Sequence, residues 1–270
     1  MKIIITGASS GIGQALAYEY AKRYQHTNAT IGLIARRSER LHEIASELME
    51  RYQIRVVCYA CDVRDKEAVA NAAIAFMQQH GTPNMVIANA GVSRGTLTEF
   101  KEDIAAFQAI MDINVMGMVH TFQPFIAAMK QAPQDIASHE TMHLVGVASV
   151  AGIRGLPGAG AYCASKAAAI SYLESLRVEM RPFGIHVTTI APGYIRTPMT
   201  DVNTFPMPFL MAPDVFAAKF ANAVARKKRF VVIPWPMGML VKLMRLIPAG
   251  LWDWAMRNSP TKTRTTWDWL

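Results

Sequence analysis

The chain has 270 residues and a mass of 29.8 kDa, with 51% hydrophobic and 18% charged residues, which excludes an intrinsically disordered protein and fits one large folded domain. Most of the net charge of +8 lies in residues 202–270, which hold 10 basic and 3 acidic residues. The rest of the chain is nearly neutral, and we expect no nucleic-acid partner.

The three cysteines predict a reducing compartment, because an odd number in a long chain does not suit a disulfide framework. Cys58 and Cys61 share one apolar strand pattern, and their spacing sends them to opposite faces, so we expect core residues and no metal site. The chain starts directly with a strand pattern rather than a secretory signal, and no uncharged stretch is long enough to span a membrane. We therefore expect a cytoplasmic protein.

Short β-branched and apolar runs alternate with longer helical patterns along the chain. Strands are predicted at residues 2–6, 29–35, 54–60, 84–88, 142–148, 185–190 and 229–234. Helices are predicted at about 11–25, 38–52, 65–80, 100–131, 160–181 and 213–226. Strands that are apolar on both faces and separated by helices indicate a parallel sheet covered on both sides. We predict a single Rossmann-like, doubly wound α/β domain with seven strands over residues 1–234, and an amphipathic helical extension over 235–270.

A glycine-rich turn, TGASSGIG at 6–13, follows the first strand and opens the first helix. Its glycines permit a tight turn, close approach of the backbone to a pyrophosphate and close packing of helix on strand. The helix N-terminus also presents free N–H groups to an anion. Such a turn is sometimes merely structural, but its position favours a nucleotide site. The predicted binding residues are Gly7, Ser9, Ser10, Gly11, Ile12 and Gly13.

The second strand ends in Arg36 and Arg37, with no acid at that position. An acid there would accept a hydrogen bond from a ribose 2′-hydroxyl, whereas arginine suits a 2′-phosphate. The alternative is a pair of solvated arginines, but arginine at a helix start is unfavourable against the helix dipole unless an anion binds. We therefore predict NADP(H) as the cofactor in preference to NAD(H).

Two further turns lie at the carboxyl ends of predicted strands, where ligands bind in such folds. Asp62 and Val63 follow the third strand, and the carboxylate suits an adenine amino group. Asn89, Ala90 and Gly91 follow the fourth strand and would let the backbone pass close to a ribose. Asp, Asn and Gly are also common at caps and turns for local reasons, so both interpretations stay open here.

Tyr162 and Lys166 interrupt a run of small residues, AYCASKAAA, at the start of a predicted helix. Residues four positions apart lie on one helical face, so the two side chains project together. Alone, such a pair would usually be a packed ring beside a solvated lysine.

The motifs occur together and in order: TGASSGIG, NAG at 89–91, Asn114, Ser149 in VASVAG, YCASK at 162–166, and PG before Thr197. Over residues 1 to about 200 the chain thus resembles the short-chain dehydrogenase/reductase family, in its short-form branch with TGxxxGIG and YxxxK motifs. The resemblance implies an oxidoreductase and a homodimer or homotetramer formed through the long helices.

The resemblance also implies residue roles. Tyr162 would be the general acid, and Lys166 would lower the pKa of that tyrosine toward neutrality and donate to the nicotinamide ribose. Ser149 would hold the substrate oxygen, and Asn114 would fix a water that links Lys166 to solvent. The interval before Ser149 is long for the family, and we place the extra residues in the turn QAPQDIASHE, 131–140. Further cofactor contacts are expected at Pro192, Gly193, Ile195 and Thr197.

In the family, the segment at 198–213 covers the substrate. Here it is rich in methionine and phenylalanine, which form adaptable apolar walls, so we predict a bulky lipid-like, steroid-like or aromatic substrate. An ordinary mobile lid or a dimer contact is the alternative. The apolar residues of this segment are Met199, Phe205, Met207, Phe209, Leu210 and Met211.

The extension has an apolar stripe at helical spacing with basic residues beside it. A basic run, 226–229, precedes the extension, and Trp252 and Trp254 follow the stripe. This combination suits peripheral contact with a membrane. Packing of the extension over the substrate mouth or against a partner subunit is the other interpretation, and we prefer it from the sequence. The stripe comprises Leu240, Val241, Met244 and Ile247, with Lys242 and Arg245 beside it.

The leading functional prediction is an NADPH-dependent carbonyl reductase, or an alcohol dehydrogenase in the reverse direction. A non-catalytic NADP(H)-binding sensor or scaffold is the alternative from another class. A sugar epimerase or dehydratase shares the tyrosine and lysine pair, but the glycine spacing and the short chain disfavour it.

Overall fold

A computed structural model describes residues 1–132, 141–259, 261–262 and 264. The predicted turn at 131–140 and the end of the predicted extension therefore lie largely outside the described residues. The described strands are β1 (Lys2–Thr6), β2 (Thr30–Ala35), β3 (Arg55–Ala60), β4 (Met85–Ala88), β5 (His143–Val147), β6 (His186–Pro192) and β7 (Phe230–Ile233).

These strands form one parallel sheet in the order β3-β2-β1-β4-β5-β6-β7. The strand order reverses between β1 and β4, which pair in register through Ile3 with Met85 and Ile5 with Ile87. All carboxyl ends lie along one edge, and the crevice at such a reversal is where open α/β sheets bind ligands. The predicted Rossmann-like, seven-stranded fold is confirmed.

The strands are linked and followed by helices that cover both faces of the sheet. The sheet buries β-branched residues on both sides, which is why its strands read as continuous apolar runs. The helices are α1 (Gly11–Arg23), α2 (Ser38–Tyr52), α3 (Lys66–His80), α4 (Asp103–Met111), α5 (Gly117–Gln131), α6 (Gly160–Met180), α7 (Pro198–Asp201), α8 (Pro213–Ala225), α9 (Trp235–Leu246) and α10 (Ala249–Met256).

Alternate residues of each strand enter two separate hydrophobic cores. Ile3 and Ile5 of β1 enter the core that holds Leu16 of α1 and Phe216 of α8. Ile4, between them, enters the opposite core with side chains from α3, α5 and α6. The period-two alternation of a strand therefore places one helical layer on each side of the sheet.

The predicted long helix at 100–131 is broken, which sequence periodicity did not show. A π-helical turn, Asp112–Met116, separates α4 from α5. Asn114 lies in this turn, fully buried, and its amide is hydrogen-bonded to the Val92 backbone and to Ser165. These long-range bonds hold the widened turn in place, and such turns often occur at functional sites.

The two helices of the extension pack on the domain beside residues 150–157. The Arg245 guanidinium donates to the Ile153 carbonyl at 2.9 Å, and the Arg154 guanidinium lies 4.6 Å from the centre of the Trp252 ring. Within the described residues, no helix is long and apolar enough to cross a membrane.

The predicted apolar stripe of α9 is mostly turned inward. Val241 is buried, Met244 and Ile247 are half-buried, and only Leu240 is exposed. A different set of large apolar side chains faces solvent, because α9 is apolar around most of its circumference. This exposed set is Trp235 at 69%, Met239 at 55%, Leu243 at 64%, Leu246 at 79%, Leu251 at 55% and Trp254 at 72% exposure.

Candidate active site

The glycine turn after β1 has backbone geometry that glycine favours. Gly7 and Gly11 have φ values of +68° and +55°, in the left-handed region. A Cβ atom on Gly13 would lie 2.2 Å from the Gly7 carbonyl oxygen, so Gly13 allows α1 to pack against the turn. Gly13 thus shapes the turn rather than facing the cavity.

The N-terminus of α1 is prepared for an anion. Ser10 begins the helix, makes no side-chain capping bond to the described residues, and is followed by no acid in the first turn. By contrast, α3 begins with Asp65, whose carboxylate accepts hydrogen bonds from the N–H groups of Glu67 and Ala68. The first N–H groups of α1 are therefore available to a phosphate.

Arg37 lies against this turn. Its guanidinium donates to the Ser10 hydroxyl at 2.8 Å and to the Ser9 hydroxyl at 3.0 Å. A phosphate bound here would meet both an arginine and two hydroxyl groups.

Arg36 lies near the carboxylate of Asp62, whereas Arg37 lies near the serines of the glycine turn. The Asp62 carboxylate lies 2.8 Å from Arg64 and 3.7 Å from Arg36. Both arginines interact with the carboxylate. Asp62 is also not among the residues that line the cavity at the carboxyl edge of the sheet. Its predicted contact with adenine receives no support from this geometry.

One cavity of about 320 Å³ runs along the carboxyl edge of the sheet. Most of the predicted cofactor and catalytic residues line it, whereas the cofactor candidates Gly13 and Asp62 and the catalytic candidate Asn114 do not. The predicted residues that line the cavity are Gly7, Ser9, Ser10, Gly11, Ile12, Arg36, Arg37, Val63, Asn89, Ala90, Gly91, Ser149, Tyr162, Lys166, Pro192, Gly193, Ile195 and Thr197.

The cavity also has apolar walls that the sequence did not single out. Val92, Ile113 and Val147 line it, and their side chains resemble those of any core residue. Only the polar and glycine positions carried a recognisable pattern. Asn89 donates to the Thr6 carbonyl at 2.9 Å and so ties the ends of β1 and β4 together.

The predicted catalytic side chains converge at one end of this cavity. The Lys166 ammonium lies 5.9 Å from the centre of the Tyr162 ring and donates to the Val147 carbonyl at 2.9 Å. Ser149, just after β5, accepts a hydrogen bond from the Ala151 N–H at 3.1 Å. Tyr162 and Lys166 lie close together because they are four residues apart on α6. Ser149 lies beside them because it follows the carboxyl end of β5.

Burial dominates the electrostatics of this group. Burial lowers the pKa of Lys166 to about 8. Burial also raises the pKa of Tyr162, although the Ser149 hydroxyl acts in the opposite direction. The expected lowering of the Tyr162 pKa toward neutrality is therefore not met in this structure, because desolvation is the largest cause of the shift and Lys166 is not among its causes. The phenol is protonated, which is the form that a general acid requires.

Asn114 is close to Lys166 without lining the cavity. A Cβ atom on Gly91 would lie 3.1 Å from the Asn114 side-chain oxygen and 3.3 Å from the Lys166 ammonium. Gly91 thus lies beside both groups, and a larger residue there would press on both. The Asn114 amide is already bonded to Val92 and Ser165, so its predicted water link stays a prediction.

A second cavity, of about 310 Å³, adjoins the first. Ser149 and Tyr162 line both cavities, as do Gly193, Met199 and Thr200. Of the predicted apolar substrate residues, Met199 and Phe205 line the second cavity, whereas Met207, Phe209, Leu210 and Met211 do not.

The sequence missed several residues of the second cavity. These residues are Ser93, Tyr194, Met256, Ser259 and Lys262. Met256 ends α10, and Ser259 and Lys262 lie in the C-terminal tail that follows this helix. Tyr194 directly follows the predicted Gly193, so its position in the sequence could have identified it as a residue of the site. Nothing local in the tail indicates that it folds back over the cavity.

The chain is similar to known proteins over most of its length. The family model for short chain dehydrogenase matches residues 1–205. The chain is 33% identical over 255 residues to an uncharacterized oxidoreductase of Myxococcus xanthus, covering 94% of this chain and 96% of that protein. It is 31% identical over 274 residues to 11-beta-hydroxysteroid dehydrogenase 1A of Arabidopsis thaliana, covering 94% of this chain and 74% of that protein.

Among solved structures, L-sorbose reductase from Gluconobacter frateurii complexed with NADPH and L-sorbose is similar. The TM-score between the two structures is 0.73 at 25% sequence identity, and the match covers 86% of this chain and 94% of that chain. The shared fold, the family model over most of the chain and the full-length relatives agree. This chain is an oxidoreductase that belongs to the short-chain dehydrogenase/reductase family.

Proposed function

We propose that the protein transfers a hydride between NADP(H) and a carbonyl or secondary alcohol of an apolar substrate. The observation that carries this proposal is that Ser149 and Tyr162 line both cavities. One cavity has the features of a dinucleotide site and the other has mostly apolar walls. A substrate oxygen at their junction would meet the two hydroxyl groups that the chemistry needs.

Residues of the first cavity fit a phosphorylated dinucleotide. The positive φ values of Gly7 and Gly11 and the uncapped start of α1 support pyrophosphate binding. Arg37 with Ser9 and Ser10 supports a 2′-phosphate. When bound, the nicotinamide supplies or accepts the hydride. The structure of L-sorbose reductase with NADPH supports the same cofactor class for this chain.

Side chains of the protein would donate the proton and stabilise the negative charge on the substrate oxygen. Ser149 would donate a hydrogen bond to the substrate oxygen, and Tyr162 would donate its phenolic proton to that oxygen as negative charge develops. The buried Lys166, held by the Val147 carbonyl, would orient the cofactor ribose and favour the phenolate that remains. Asn114 would act as a positioning residue beside Gly91 and Lys166.

The substrate is proposed to be bulky and apolar. Val150, Leu156, Phe205 and Met256 contribute large apolar side chains to the second cavity. The Arabidopsis thaliana relative is named for a hydroxysteroid, which supports a substrate of that size and character. The segment at 198–213 would act as the substrate lid, chiefly through Met199 and Phe205.

Turnover of a carbonyl panel tests this function against a sensor or scaffold. We expect NADPH oxidation with aromatic and alicyclic aldehydes and ketones, with faster turnover of apolar compounds than of sugars. Mass spectrometry of small molecules retained by the purified protein would then narrow the substrate. Tight binding of NADPH without turnover of any carbonyl would favour the sensor, and turnover of nucleotide sugars without net NADPH oxidation would favour an epimerase.

The extension at 235–270 is proposed to act as a surface unit that contacts a membrane. Leu243, Leu246 and Trp254 are exposed on α9 and α10, and the basic run at 226–229 lies close in sequence. Apolar and basic groups on one surface add apolar and electrostatic attraction to anionic lipid. The cytoplasmic location and the homo-oligomer stay predictions from the sequence.

Flotation with vesicles tests this contact. We expect the protein to float with phosphatidylserine-containing vesicles at low salt and less so at high salt, because exposed charges are screened. The double variant Leu243→Glu/Leu246→Glu should lose flotation, whereas Ile74→Glu, at an exposed apolar position of α3, should retain it. Absence of flotation at both salt concentrations would rule out the membrane contact and leave substrate-mouth or subunit packing.

A further inference from the structure

The second cavity contains one cationic side chain that the proposed chemistry does not use. Lys262, in the C-terminal tail, lines this cavity together with Ser149 and Tyr162. Its ammonium donates to the Ser93 hydroxyl at 3.0 Å. The neighbouring tail residue Ser259 also lines the cavity, so the tail forms part of its wall.

Contacts on both sides hold this part of the tail in place. The Arg264 side chain donates to the Asp103 carboxylate at 2.7 Å and lies 3.5 Å from the centre of the Phe100 ring. On the other side of Lys262, Thr261 packs against Gly158, where a Cβ atom would come within 2.6 Å of the threonine. Lys262 is therefore directed toward the cavity by a docked segment of chain.

Among the residues that the structure describes, no acid balances the charge of Lys262. Asp103, the nearby buried carboxylate, is engaged by Arg264 and by Arg94 and also accepts from the Leu97 N–H. Among the described residues, no ion pair involves Lys262, and no acidic residue lines the cavity. Lys262 is half-buried, and this burial lowers the pKa of its ammonium to about 8.

A partly buried ammonium in an apolar cavity is unfavourable unless an anion or a dipole accompanies it. The Ser93 hydroxyl supplies one partner, and an ammonium can donate three hydrogen bonds. The other described residues that line the cavity are neutral, so an anionic ligand would supply the negative charge that this lining lacks.

We propose that the substrate carries a carboxylate in addition to its reacting carbonyl, and that Lys262 and Ser93 bind this carboxylate. The inference rests on the proposed function and specifies its substrate class as an oxo acid with an apolar skeleton. Ser149 and Tyr162 hold the carbonyl, the apolar walls hold the skeleton, and Lys262 holds the acid. The single positive charge of the ammonium matches the single negative charge of a carboxylate, and the Ser93 hydroxyl supplies a second hydrogen-bonding group.

The test compares unbranched aldehydes that end in a carboxylate with their methyl esters, over a series of chain lengths. With NADPH, the wild-type protein should show kcat/KM values about 10- to 100-fold higher for the acid than for its ester at the matching length. The variant Lys262→Met should bring this ratio close to one through a fall in kcat/KM for the acid. Lys219→Met, at an exposed lysine of α8, is the matched control and should keep the wild-type ratio.

The outcomes separate this inference from the function on which it rests. Equal turnover of acids and esters by the wild-type protein would overturn the carboxylate site, and so would a preference that Lys262→Met retains. If Lys262→Met also loses turnover of the esters, Lys262→Arg must restore the acid preference, and its failure to do so would overturn the proposal. Absence of turnover with every aldehyde would count against the proposed function instead.

Discussion

Tyr162→Phe is expected to lower kcat for carbonyl reduction by about 10²- to 10⁴-fold, the range that a positioned general acid contributes. The substitution removes one hydroxyl group and keeps the ring, so the packing at the start of α6 should persist. Tyr162 is half-buried between the two cavities, and desolvation raises the pKa of its phenol, so the proton is present for donation. Steady-state kinetics with NADPH and the best carbonyl of the panel measure the effect.

A measurement of NADPH affinity distinguishes loss of the chemical step from loss of the folded structure in the Tyr162→Phe variant. Fluorescence titration with NADPH should give a similar Kd for Tyr162→Phe and the wild-type protein, because the hydroxyl is a minor part of the cofactor site. Tyr172→Phe makes the same chemical change on the same helix, away from both cavities, and should keep full activity. Unchanged turnover by Tyr162→Phe would show that another group donates the proton.

Arg37→Ala is expected to raise KM for NADPH by about 10- to 100-fold and to change KM for NADH much less. Hydrogen bonds to a charged group contribute about 1.5–3 kcal/mol of binding free energy, and most of this contribution should be lost when the guanidinium is removed. Arg37 already reaches Ser9 and Ser10 at the turn where a 2′-phosphate would lie. Parallel measurements with both cofactors give the change in preference.

Two neighbouring arginines serve as comparisons for Arg37. Arg40→Ala removes an exposed arginine of α2 that pairs with Glu43, and it should leave both KM values unchanged. Arg36→Ala should have an intermediate effect, because Arg36 lines the cavity but lies 3.7 Å from Asp62. Equal losses with NADPH and NADH in Arg37→Ala would indicate damage to the glycine turn, and a wild-type preference for NADH would refute the cofactor proposal.

Comparison of the predicted and described elements shows where local patterns suffice. The β-branched runs predicted all seven strands of the described sheet within a few residues, because strands buried on both faces need apolar residues throughout. The single predicted helix at 100–131 was wrong in one respect, since a π-helical turn interrupts it. Its cause is hydrogen bonding of Asn114 to Val92 and Ser165, which are distant in sequence.

The sequence by itself determined the family and the parallel sheet, and its motifs singled out Ser149 and Tyr162, which line both cavities. Those features depend on residues close in sequence, such as the turn at 6–13 or the pair Tyr162 and Lys166, whose spacing alone places them on one helical face. The tertiary structure alone decided that burial raises the pKa of Tyr162 and that Lys262 lines the second cavity. Desolvation and the docking of a tail both depend on contacts between distant segments, and no local pattern records them.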